Sequence, residues 1–556
     1  MRPPKFGRKT TVKFDFTAHP EGRCEKCLQR FFEILPGATS WTILLGLLAV
    51  SFLKPVLAAV FVIAFVLFWL FRLFYMTLFL MISYFRLAAE KNTDWMARAS
   101  GLDDFEHYLD SGGREEEEQG LHRWVSRWRN RNSLRRLKKS GSRPPSSGDI
   151  LQLVIIPVAG EIRKVVEPGI RSLAGGTFPA ANVVVAIALE ARAGDAAREG
   201  ILALQAEYRD RFFDFLVITH PENVAGEARV KGANATHTAR FMEAYFHKKQ
   251  IPFENIIVSC FDADTVVDRS YFACLTYQYM VCPDRERASF QPIPVYHNNI
   301  WRAHGFARVL EMGSSFFQLV EATNPEKLVT FSSHSMSFKA LVEIGFWPVD
   351  MISDDSAIFW KAFIYFDGDY RVIPIYVTLS MDVVDSGFLW KTIQNVYRQK
   401  RRWAWGVENF PIVMRAFIRS DRISFFDKVR HGFKMFEGHI SWATWAIILS
   451  FVGWLPALFA GREFENTVLY YSAPRITGVI FNLSGAALAV SIIISLFLLP
   501  KKNIKYPLLR RFLFAIQWLF LPIIFVFLSA LPALDAQTRL MFGRYMETFW
   551  VTEKKR

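Results

Sequence analysis

The sequence predicts an α/β domain with a Rossmann-like, mostly parallel sheet, joined to α-helical transmembrane segments. The first observation is segregation: 51% of the 556 residues are hydrophobic and 21% are charged, yet five long runs carry almost no charge. The second is a change of pattern between the early and late runs, where short Val- and Ile-rich segments alternate with helical stretches. Such alternation is typical of parallel strands covered by helices on both faces. This composition excludes disordered, collagenous and small disulfide-rich proteins.

The uncharged runs are long enough to cross a bilayer, because roughly 20 apolar residues of helix span its hydrocarbon core. Two early runs, 34–53 and 55–85 with the single charge of Arg72, predict a tight hairpin that turns at Lys54 and Pro55. Buried helices of a soluble protein are the alternative, which runs of this length disfavour. Three later runs predict further spans at 440–461, 476–500 and 512–534.

Basic residues next to the apolar runs predict the orientation of the chain. The tail at 1–33 and the loop at 501–511 are rich in Lys and Arg, so both are expected in the cytosol together with the large domain. A fifth crossing would export the C-terminal tail, which also ends in basic residues. Either the last run is a re-entrant hairpin broken at Pro522 and Pro532, or the tail is exported, and both alternatives stay open. We expect an integral, multi-pass protein of the plasma (inner) membrane.

These patterns divide the chain into six parts. A charged linker joins the transmembrane hairpin to the α/β domain, and helices at the membrane interface are expected near 388–435 within that domain. The parts are a basic cytosolic tail at 1–33, the transmembrane hairpin at 34–85, the charged interfacial linker at 86–149, the α/β domain at 150–435, transmembrane helices at 436–534 and a tail at 535–556.

The linker contains a basic helical pattern with Trp124 and Trp128 on one face. Beside a membrane span, such a helix favours contact with the lipid bilayer through anionic headgroups, and no nucleic-acid partner is expected. Residues 140–148, rich in Ser, Pro and Gly, predict a flexible joint. Near the N-terminus, Cys24 and Cys27 form a lone CxxC pair, for which a zinc site is the less favoured alternative.

Four predicted strands open the α/β domain, and their ends mark the expected ligand site. In parallel sheets, ligands bind at the carboxyl ends of the strands. Glu190 follows the second strand, Lys231 lies after the third, and Asp262 and Asp264 follow the fourth. The predicted strands are 151–158, 182–189, 213–218 and 256–261.

Asp262 and Asp264 form the first acidic pair, at i and i+2 across a strand end. One carboxylate can reach a divalent cation, and the other can reach the same cation or a ribose. Mg²⁺ and Mn²⁺ prefer oxygen ligands and usually share them with substrate phosphates, so the pair predicts a site for either cation. Lys231 could offset phosphate charge, although an exposed lysine at a helix start is an equal alternative.

Asp354 and Asp355 form the second acidic pair. Because adjacent carboxylates raise each other's pKa, one of them could act as a base near neutral pH. Ser353 or Asp354 could equally cap the helix that follows, and the two roles are compatible.

The third motif reads Gln-Lys-Arg-Arg-Trp over residues 399–403, in a stretch rich in Trp and Arg before the late spans. Aromatic residues with arginines suit the membrane interface. They equally suit stacking on a sugar ring together with contact to a diphosphate.

Taken in order, Asp262-x-Asp264, Ser353-Asp354-Asp355 and Gln399-x-x-Arg402-Trp403 resemble the signature of membrane-integrated family 2 glycosyltransferases. These are the relatives of bacterial cellulose and hyaluronan synthases, with a GT-A fold. The segment 230–234 is similar to the family's Lys-Ala-Gly-Asn segment, and 549–554 is similar to its Phe-x-Val-Thr-x-Lys segment. The resemblance covers about 150–435, and the membrane frame by pattern only.

The resemblance implies a GT-A-like catalytic domain in the cytosol and a nucleotide-sugar donor, with a UDP-sugar favoured. The sugar would move in one in-line displacement that inverts the anomeric carbon. The resemblance further implies Mg²⁺ or Mn²⁺ as cofactor. It assigns the cation and the diphosphate to Asp264 and Asp262, the role of catalytic base to Asp355, further diphosphate contact to Lys231, and the positioning of diphosphate and acceptor to Gln399, Arg402 and Trp403.

Two departures from the family pattern leave details open. The family has Asp-Asp-Gly after its second strand, where this chain has Glu190-Ala191, so Glu190 becomes the candidate for contact with the base, and UDP or GDP stays open. The family's Thr-Glu-Asp is Ser-Asp-Asp here, which places Asp354 on the acceptor side. Asn298 and His334 are further acceptor-side candidates, with polar packing as their alternative.

The leading functional prediction is an enzyme that extends a polysaccharide. The alternative is a non-processive enzyme that adds one sugar to a membrane lipid, because glucosylceramide-type enzymes carry a similar Gln-x-x-Arg-Trp. A transporter or scaffold with an inactive domain is disfavoured, since few ionisable groups lie in the spans. The sequence makes no prediction of a protein partner.

Overall fold

The computed structural model describes residues 14–111, 121–459, 468–500 and 516–546. Eight strands form one mixed sheet, and they are β1 (Leu151–Val158), β2 (Val183–Glu190), β3 (Asp214–His220), β4 (Ile256–Cys260), β5 (Val266–Val267), β6 (Ala288–Val295), β7 (Ser335–Ser337) and β8 (Arg371–Ser380).

The strand order across the sheet is β3-β2-β1-β4-β7-β6-β8-β5. The first four strands in this order are parallel to one another. β7 is antiparallel to β4 and β6, β8 is parallel to β6, and β5 is antiparallel to β8. The carboxyl ends of the four parallel strands therefore meet at one edge of the sheet.

Helices precede the sheet, pack on both of its faces and follow it. Before the sheet come α1 (Arg23–Leu53), α2 (Pro55–Glu90), α3 (Trp95–Gly101), α4 (Phe105–Asp110) and α5 (Leu121–Ser140). Within the α/β domain lie α6 (Arg163–Ala174), α7 (Asp195–Tyr208), α8 (Lys231–Lys248), α9 (Tyr271–Val281), α10 (Gly305–Glu321), α11 (Phe338–Glu343), α12 (Asp354–Tyr365), α13 (Leu389–Ala404) and α14 (Asn409–Arg419). After it come α15 (Phe425–Ser450), α16 (Leu455–Phe459), α17 (Val468–Leu498) and α18 (Gln517–Met541).

The composition of the first strands explains why the sheet is buried on both faces. In β1, Val154 and Ile156 belong to the hydrophobic core on one face, and Leu153 and Ile155 belong to the core on the other. Because both faces are apolar, the strand reads as a continuous hydrophobic run rather than as an alternation.

The predicted strands agree with β1 to β4 to within one or two residues at each end. The remaining strands were not predicted. β5 and β7 have two and three residues, β6 contains Pro292 and Pro294, and β8 contains Pro374. Short or proline-containing segments give little strand signal in a sequence, so these four strands became visible only in the tertiary structure.

Among the described residues, three helices are long and apolar enough to cross a membrane: α1, α2 and α18. A fourth results if α15 and the segment Val452–Phe459, bent by 49° relative to it, form one span. α1 ends at Leu53 and α2 begins at Pro55, where the sequence predicts the hairpin to turn. Proline fits the first turn of a helix because its missing N–H has no partner there.

α18 is one continuous helix with a π-helical turn at Val526–Ala530. It does not break at Pro522 or Pro532, so the predicted re-entrant hairpin at these prolines is wrong. Each proline stands in the first turn of a regular segment, where it removes no needed hydrogen bond.

The linker is folded against the α/β domain, and the flexible joint at 140–148 stays a prediction. Trp95 of α3 and Leu134 of α5 belong to the same core as the strands. The N–H and the hydroxyl of Ser147 donate to the carboxylate of Asp103, at 2.6 and 2.7 Å. A partner 44 residues away therefore anchors a segment whose composition alone indicates flexibility.

α5 keeps Trp124 and Trp128 exposed. Its opposite side is buried, where the side-chain amide of Asn130 hydrogen-bonds the hydroxyl groups of Tyr108 and Tyr277. The lipid contact predicted for the exposed tryptophans stays a prediction.

Candidate active site

Both acidic pairs lie at the carboxyl edge of the parallel strands, where α8 and α12 begin. Lys231 is the first residue of α8, Asp262 and Asp264 follow β4, and Asp354 and Asp355 open α12. These five residues are called the acidic cluster below.

Lys231 joins the two acidic pairs. Its Nζ lies 2.8 Å from Oδ1 of Asp262 and 2.9 Å from Oδ1 of Asp355, and its side chain is only 7% exposed. Burial alone would lower the pKa of Lys231, but the charges of Asp262 and Asp355 outweigh it and raise the pKa, so the group stays protonated. The alternative of an exposed lysine at a helix start is therefore wrong.

Gly232 allows the starts of α8 and α12 to touch. A Cβ at this position would lie 2.4 Å from the carbonyl oxygen of Pro348 and 3.0 Å from Cβ of Asp354. Two residues on, Nδ2 of Asn234 donates to the carbonyl oxygen of Ala188 in β2 at 2.7 Å. The segment 230–234 thus supplies a cation at Lys231, a close helix contact at Gly232 and an anchor to the sheet at Asn234.

Backbone contacts hold the loop that follows β4. Oδ2 of Asp264 accepts a hydrogen bond from the N–H of Asp382 at 2.7 Å, and Nδ2 of Asn298 donates to the carbonyl oxygen of Asp264 at 2.9 Å. The hydroxyl of Ser332 donates to Asp262. Asn298 is a support for this loop, and the acceptor-side role predicted for it stays a prediction.

Asp354 and Asp355 have different surroundings although they are adjacent. Asp354 is 2% exposed and its Oδ2 has no hydrogen-bond partner in the described part of the chain, whereas the side chain of Asp355 is 26% exposed and pairs with Lys231. Burial, reinforced by the charge of Asp355, raises the pKa of Asp354 well above its usual range. Asp355 is therefore the accessible carboxyl group of the pair.

α13 carries the third motif, in which Lys400 is buried. Its Nζ lies 2.9 Å from Oε1 of Glu311 in α10 and 3.5 Å from the centroid of the Trp403 ring. Burial lowers the pKa of Lys400, against the opposing charge of Glu311. Glu311, Lys400 and Trp403 are called the Lys400 clamp below. One helical turn before Trp403, Gln399 is buried, and its Oε1 has no hydrogen-bond partner among the residues that the structure describes.

Arg402 and Tyr296 connect the Lys400 clamp to the acidic cluster. Burial lowers the pKa of Arg402, and the charges of all four aspartates of the acidic cluster oppose that shift, so the guanidinium is electrostatically coupled to the cluster. The ring centroids of Tyr296 and Trp403 are 6.3 Å apart, and Asp262 and Asp264 lie near the phenol of Tyr296. The three motifs of the sequence therefore share one place.

Two further predicted residues lie at the margin of this place. Glu190 ends β2, two strands from β4 and so about 10 Å across the sheet, and forms an ion pair with Arg192. His334 is buried, with Nδ1 3.0 Å from the carbonyl oxygen of Phe331, and no described residue hydrogen-bonds its Nε2. Burial lowers the pKa of His334, so the ring is neutral at pH 7. The roles predicted for Glu190 and His334 stay predictions.

The described residues contain no group of three or more His, Cys, Asp or Glu side chains that could hold a metal ion. Asp262 and Asp264 supply carboxylate oxygens from two residues, which fits a cation that takes further ligands from phosphates. Cys24 and Cys27 are exposed thiols, so the zinc alternative gains no support. The segment 549–554 lies outside the described residues.

At the end of its parallel strands the mixed sheet carries two acidic pairs and the buried cation of Lys231. Residues 257–531, just under half of the chain, match the family model described as "Glycosyl transferase family group 2", so this segment belongs to a glycosyltransferase family 2 domain with a GT-A-like α/β sheet. The matched segment begins in β4 and ends in α18, and it contains Asp262, Asp355 and the third motif. No curated protein sequence matches the chain.

Solved structures are similar to the chain at a low level. The mannosyltransferase PcManGT from Pyrobaculum calidifontis, in complex with GDP-Man and Mn²⁺, is 14% identical with a TM-score of 0.38, over 72% of this chain and 99% of that chain. S. aureus TarS 1-349, in complex with UDP-GlcNAc, is 12% identical with a TM-score of 0.32, over 62% and 83%. Donor and acceptor must therefore be argued from the site itself.

Proposed function

We propose that the protein is a membrane-bound, inverting glycosyltransferase that moves a sugar from a nucleotide sugar, with a UDP-sugar as first candidate, to a growing polysaccharide. The observation that carries the proposal is the convergence of Lys231, Arg402 and two acidic pairs at the end of β4. A sugar diphosphate with a divalent cation needs this combination: cationic side chains for the phosphate oxygens, and carboxylates for the cation.

The donor would lie along the carboxyl edge of the sheet. Asp262 and Asp264 would hold Mg²⁺ or Mn²⁺, which stabilises negative charge on the leaving diphosphate when bound. Lys231 and Arg402 lie beside the same carboxylates and can contact the phosphate oxygens. Glu190, about 10 Å further across the sheet, can accept a hydrogen bond from the base.

Asp355 is the proposed base. It takes the proton of the acceptor hydroxyl while that oxygen bonds to the anomeric carbon, on the face opposite the diphosphate. The bond from the anomeric carbon to the phosphate oxygen breaks, and the nucleoside diphosphate leaves with the electron pair, which inverts the anomeric centre. Trp403 presents an aromatic ring to the acceptor sugar, while Lys400 and Tyr296 hold that ring in place.

The contacts of α18 support a cytosolic position for the catalytic domain and for both tails. Gln517 near the start of α18 accepts a hydrogen bond from Arg308 at 3.1 Å, and Asp535 near its end accepts one from Arg401 at 2.9 Å. Since both arginines belong to the α/β domain, we propose that α18 lies along that domain instead of crossing the bilayer. The basic C-terminal tail then stays on the side of the basic tail at 1–33.

A transferase that adds one sugar to a membrane lipid is the second candidate. With α18 along the domain, two of the three candidate spans among the described residues remain, or three with the bent pair, which is a narrow frame for a polysaccharide channel. This number favours the lipid acceptor, while the ring of Trp403 serves either acceptor. The two candidates differ in their products, because a polymer is retained on a gel and a glycolipid partitions into organic solvent.

A donor screen tests the proposed function. Full-length protein in detergent, with Mg²⁺ or Mn²⁺ and native lipid extract, is incubated with each nucleotide sugar, and release of UDP or GDP is measured. We expect release from one donor, loss of release after chelation, and recovery when either cation is restored. Absence of release from every UDP- and GDP-sugar tested would contradict the proposed function.

A further inference from the structure

A buried carboxylate outside the acidic cluster connects the segment after the third motif to the start of α12. Oε1 of Glu408 accepts hydrogen bonds from the N–H of Ser353 at 2.9 Å and from its hydroxyl at 2.7 Å. Oε2 of Glu408 accepts a hydrogen bond from Nε1 of Trp405 at 2.8 Å. Glu408 is 8% exposed and Trp405 is fully buried, so these bonds are shielded from water.

Ser353 is the N-cap of α12, whose first two residues are the second acidic pair. An N-cap serine usually accepts a hydrogen bond from an N–H of its own helix. Ser353 makes no such bond, and its hydroxyl donates to Glu408 instead. Nδ2 of Asn409 adds a hydrogen bond to Oγ of Ser353 at 2.9 Å. The start of α12 is therefore held by residues outside that helix.

Burial of the Glu408 carboxylate between the start of α12 and Trp405 is energetically unfavourable by itself. Burial raises the pKa of Glu408 to about 7, although its hydrogen bonds to Ser353 and Trp405 lower it. A buried carboxyl group without a cationic partner costs free energy unless its hydrogen bonds compensate. Two of the three hydrogen bonds go to Ser353 at the start of α12, and the third goes to Trp405 in the segment after α13. Glu408 therefore fixes the start of α12 relative to the segment after α13.

We propose that Glu408 is a positioning residue that sets the location of Asp355 relative to the third motif, without contacting the substrate. The segment that carries Gln399 and Trp403 continues directly into Trp405 and Glu408, so a shift of α13 is transmitted to the helix of the base. This inference rests on the proposed function, because the position of Asp355 affects turnover only if Asp355 is the base.

Kinetics of Glu408→Ala test the proposal. We expect kcat to fall about 100-fold, as is typical when a catalytic group is displaced by about 1 Å. KM for the donor should change less than about threefold, and the affinity for UDP or GDP should be kept, because the residues proposed to bind the donor are unchanged. A variant that merely unfolds would lose nucleotide binding as well as turnover.

Two further variants separate positioning from general stability. Glu408→Gln keeps an oxygen for Ser353, but its amide nitrogen faces the Nε1 donor of Trp405. Adding Trp405→Phe removes that donor, so the double variant should recover kcat to within about fivefold of wild type. The matched control is Glu90→Gln, a buried carboxylate that pairs with Arg86 and Arg129 and lies outside the site. It should lower stability and leave kcat unchanged.

Hydrogen–deuterium exchange of residues 350–360 provides a readout that needs no turnover. Faster exchange in Glu408→Ala together with the fall in kcat supports the proposal, and an unchanged kcat overturns it. If wild type releases no nucleotide from any donor, the proposed function has failed. In that case faster exchange still supports the hold of Glu408 on the start of α12, and unchanged exchange overturns it.

Discussion

The acidic cluster and the Lys400 clamp each contain a buried lysine, but the carboxylates that pair with the two lysines differ in exposure. Lys231 faces two carboxylates that remain accessible, with side-chain exposures of 33% for Asp262 and 26% for Asp355. Lys400 pairs with Glu311, which is 1% exposed, and its remaining surface lies on the ring of Trp403.

The difference between these two places shows where a ligand is expected. Buried polar atoms in proteins are nearly always hydrogen-bonded. In the acidic cluster and its surroundings, Oδ2 of Asp354, Nε2 of His334 and Oε1 of Gln399 have no hydrogen-bond partner among the described residues. Lys400, by contrast, is paired with Glu311 and Ser314. We therefore assign the chemistry to the acidic cluster and a supporting role to the Lys400 clamp.

The largest expected effect comes from Asp355→Asn in the acidic cluster. Loss of the general base should lower kcat about 10²- to 10⁴-fold, while UDP or GDP still binds. Nucleotide release and nucleotide binding are measured in parallel on the purified protein. The control is Asp369→Asn, an exposed carboxylate paired with Arg287, which should keep turnover within about twofold. Turnover that survives Asp355→Asn would contradict the assignment of Asp355 as the base. It would also contradict the assignment of the chemistry to the acidic cluster rather than to the Lys400 clamp.

The clamp should respond in stability rather than in chemistry. Glu311→Gln leaves Lys400 buried without its counter-charge, which should lower the free energy of unfolding by about 3–5 kcal/mol. Denaturant unfolding in detergent measures this loss. Replacing both partners by Met should recover most of it, to within about 1 kcal/mol, since no buried charge then remains. If the double variant is as unstable as Glu311→Gln, the loss of stability does not come from the unpaired charge of Lys400, and this expectation is wrong.

Glu408 joins the start of α12 to the segment after α13 by hydrogen bonds. It should make the free energy of unfolding of wild type depend on pH in a way that Glu408→Gln lacks. Its pKa of about 7 in the folded protein lies above the usual 4.5, so the folded state keeps a proton that the unfolded state loses between these values. Its stabilising contribution is complete below pH 4.5 and is lost as pH rises through 7. The unfolding free energy of wild type relative to Glu408→Gln should fall by about 3 kcal/mol from pH 4 to pH 8.

Unfolding curves of both proteins at several pH values check this expectation. A difference between wild type and Glu408→Gln that does not vary with pH would contradict the burial of an ionisable group at this position.

The smallest expected effect concerns the cation. Lys231→Met removes a positive charge beside Asp262, so Mn²⁺ in the absence of donor should bind about tenfold more tightly, a gain of about 1.4 kcal/mol. Lys400→Met should leave Mn²⁺ affinity unchanged, because its charge is already matched by Glu311. Calorimetric titration with Mn²⁺ compares the two variants. Equal changes of Mn²⁺ affinity in the two variants would contradict the expectation that only Lys231 acts on the cation site.

The sequence predicted the elements whose signals are local. β1 to β4 each contain a short apolar run, and the acidic pairs lie at a strand end and a helix start at short, recognisable spacings. The residues that were missed, Glu311 and Glu408, are single acids in apolar surroundings whose partners lie 89 and 55 residues away. The wrong prediction of a break in α18 also concerns a segment that long-range contacts hold in place.

The amino-acid sequence by itself determined the parallel half of the sheet, the apolar helices and the identity of the three motifs, because hydrophobic periodicity and short-range spacing encode them. Only the tertiary structure decided that Lys231 is a buried cation between Asp262 and Asp355, that Asp354 is the buried member of its pair, and that Lys400 belongs to Trp403 and Glu311. The physical reason is that charge pairing and desolvation depend on distances between residues far apart in the chain.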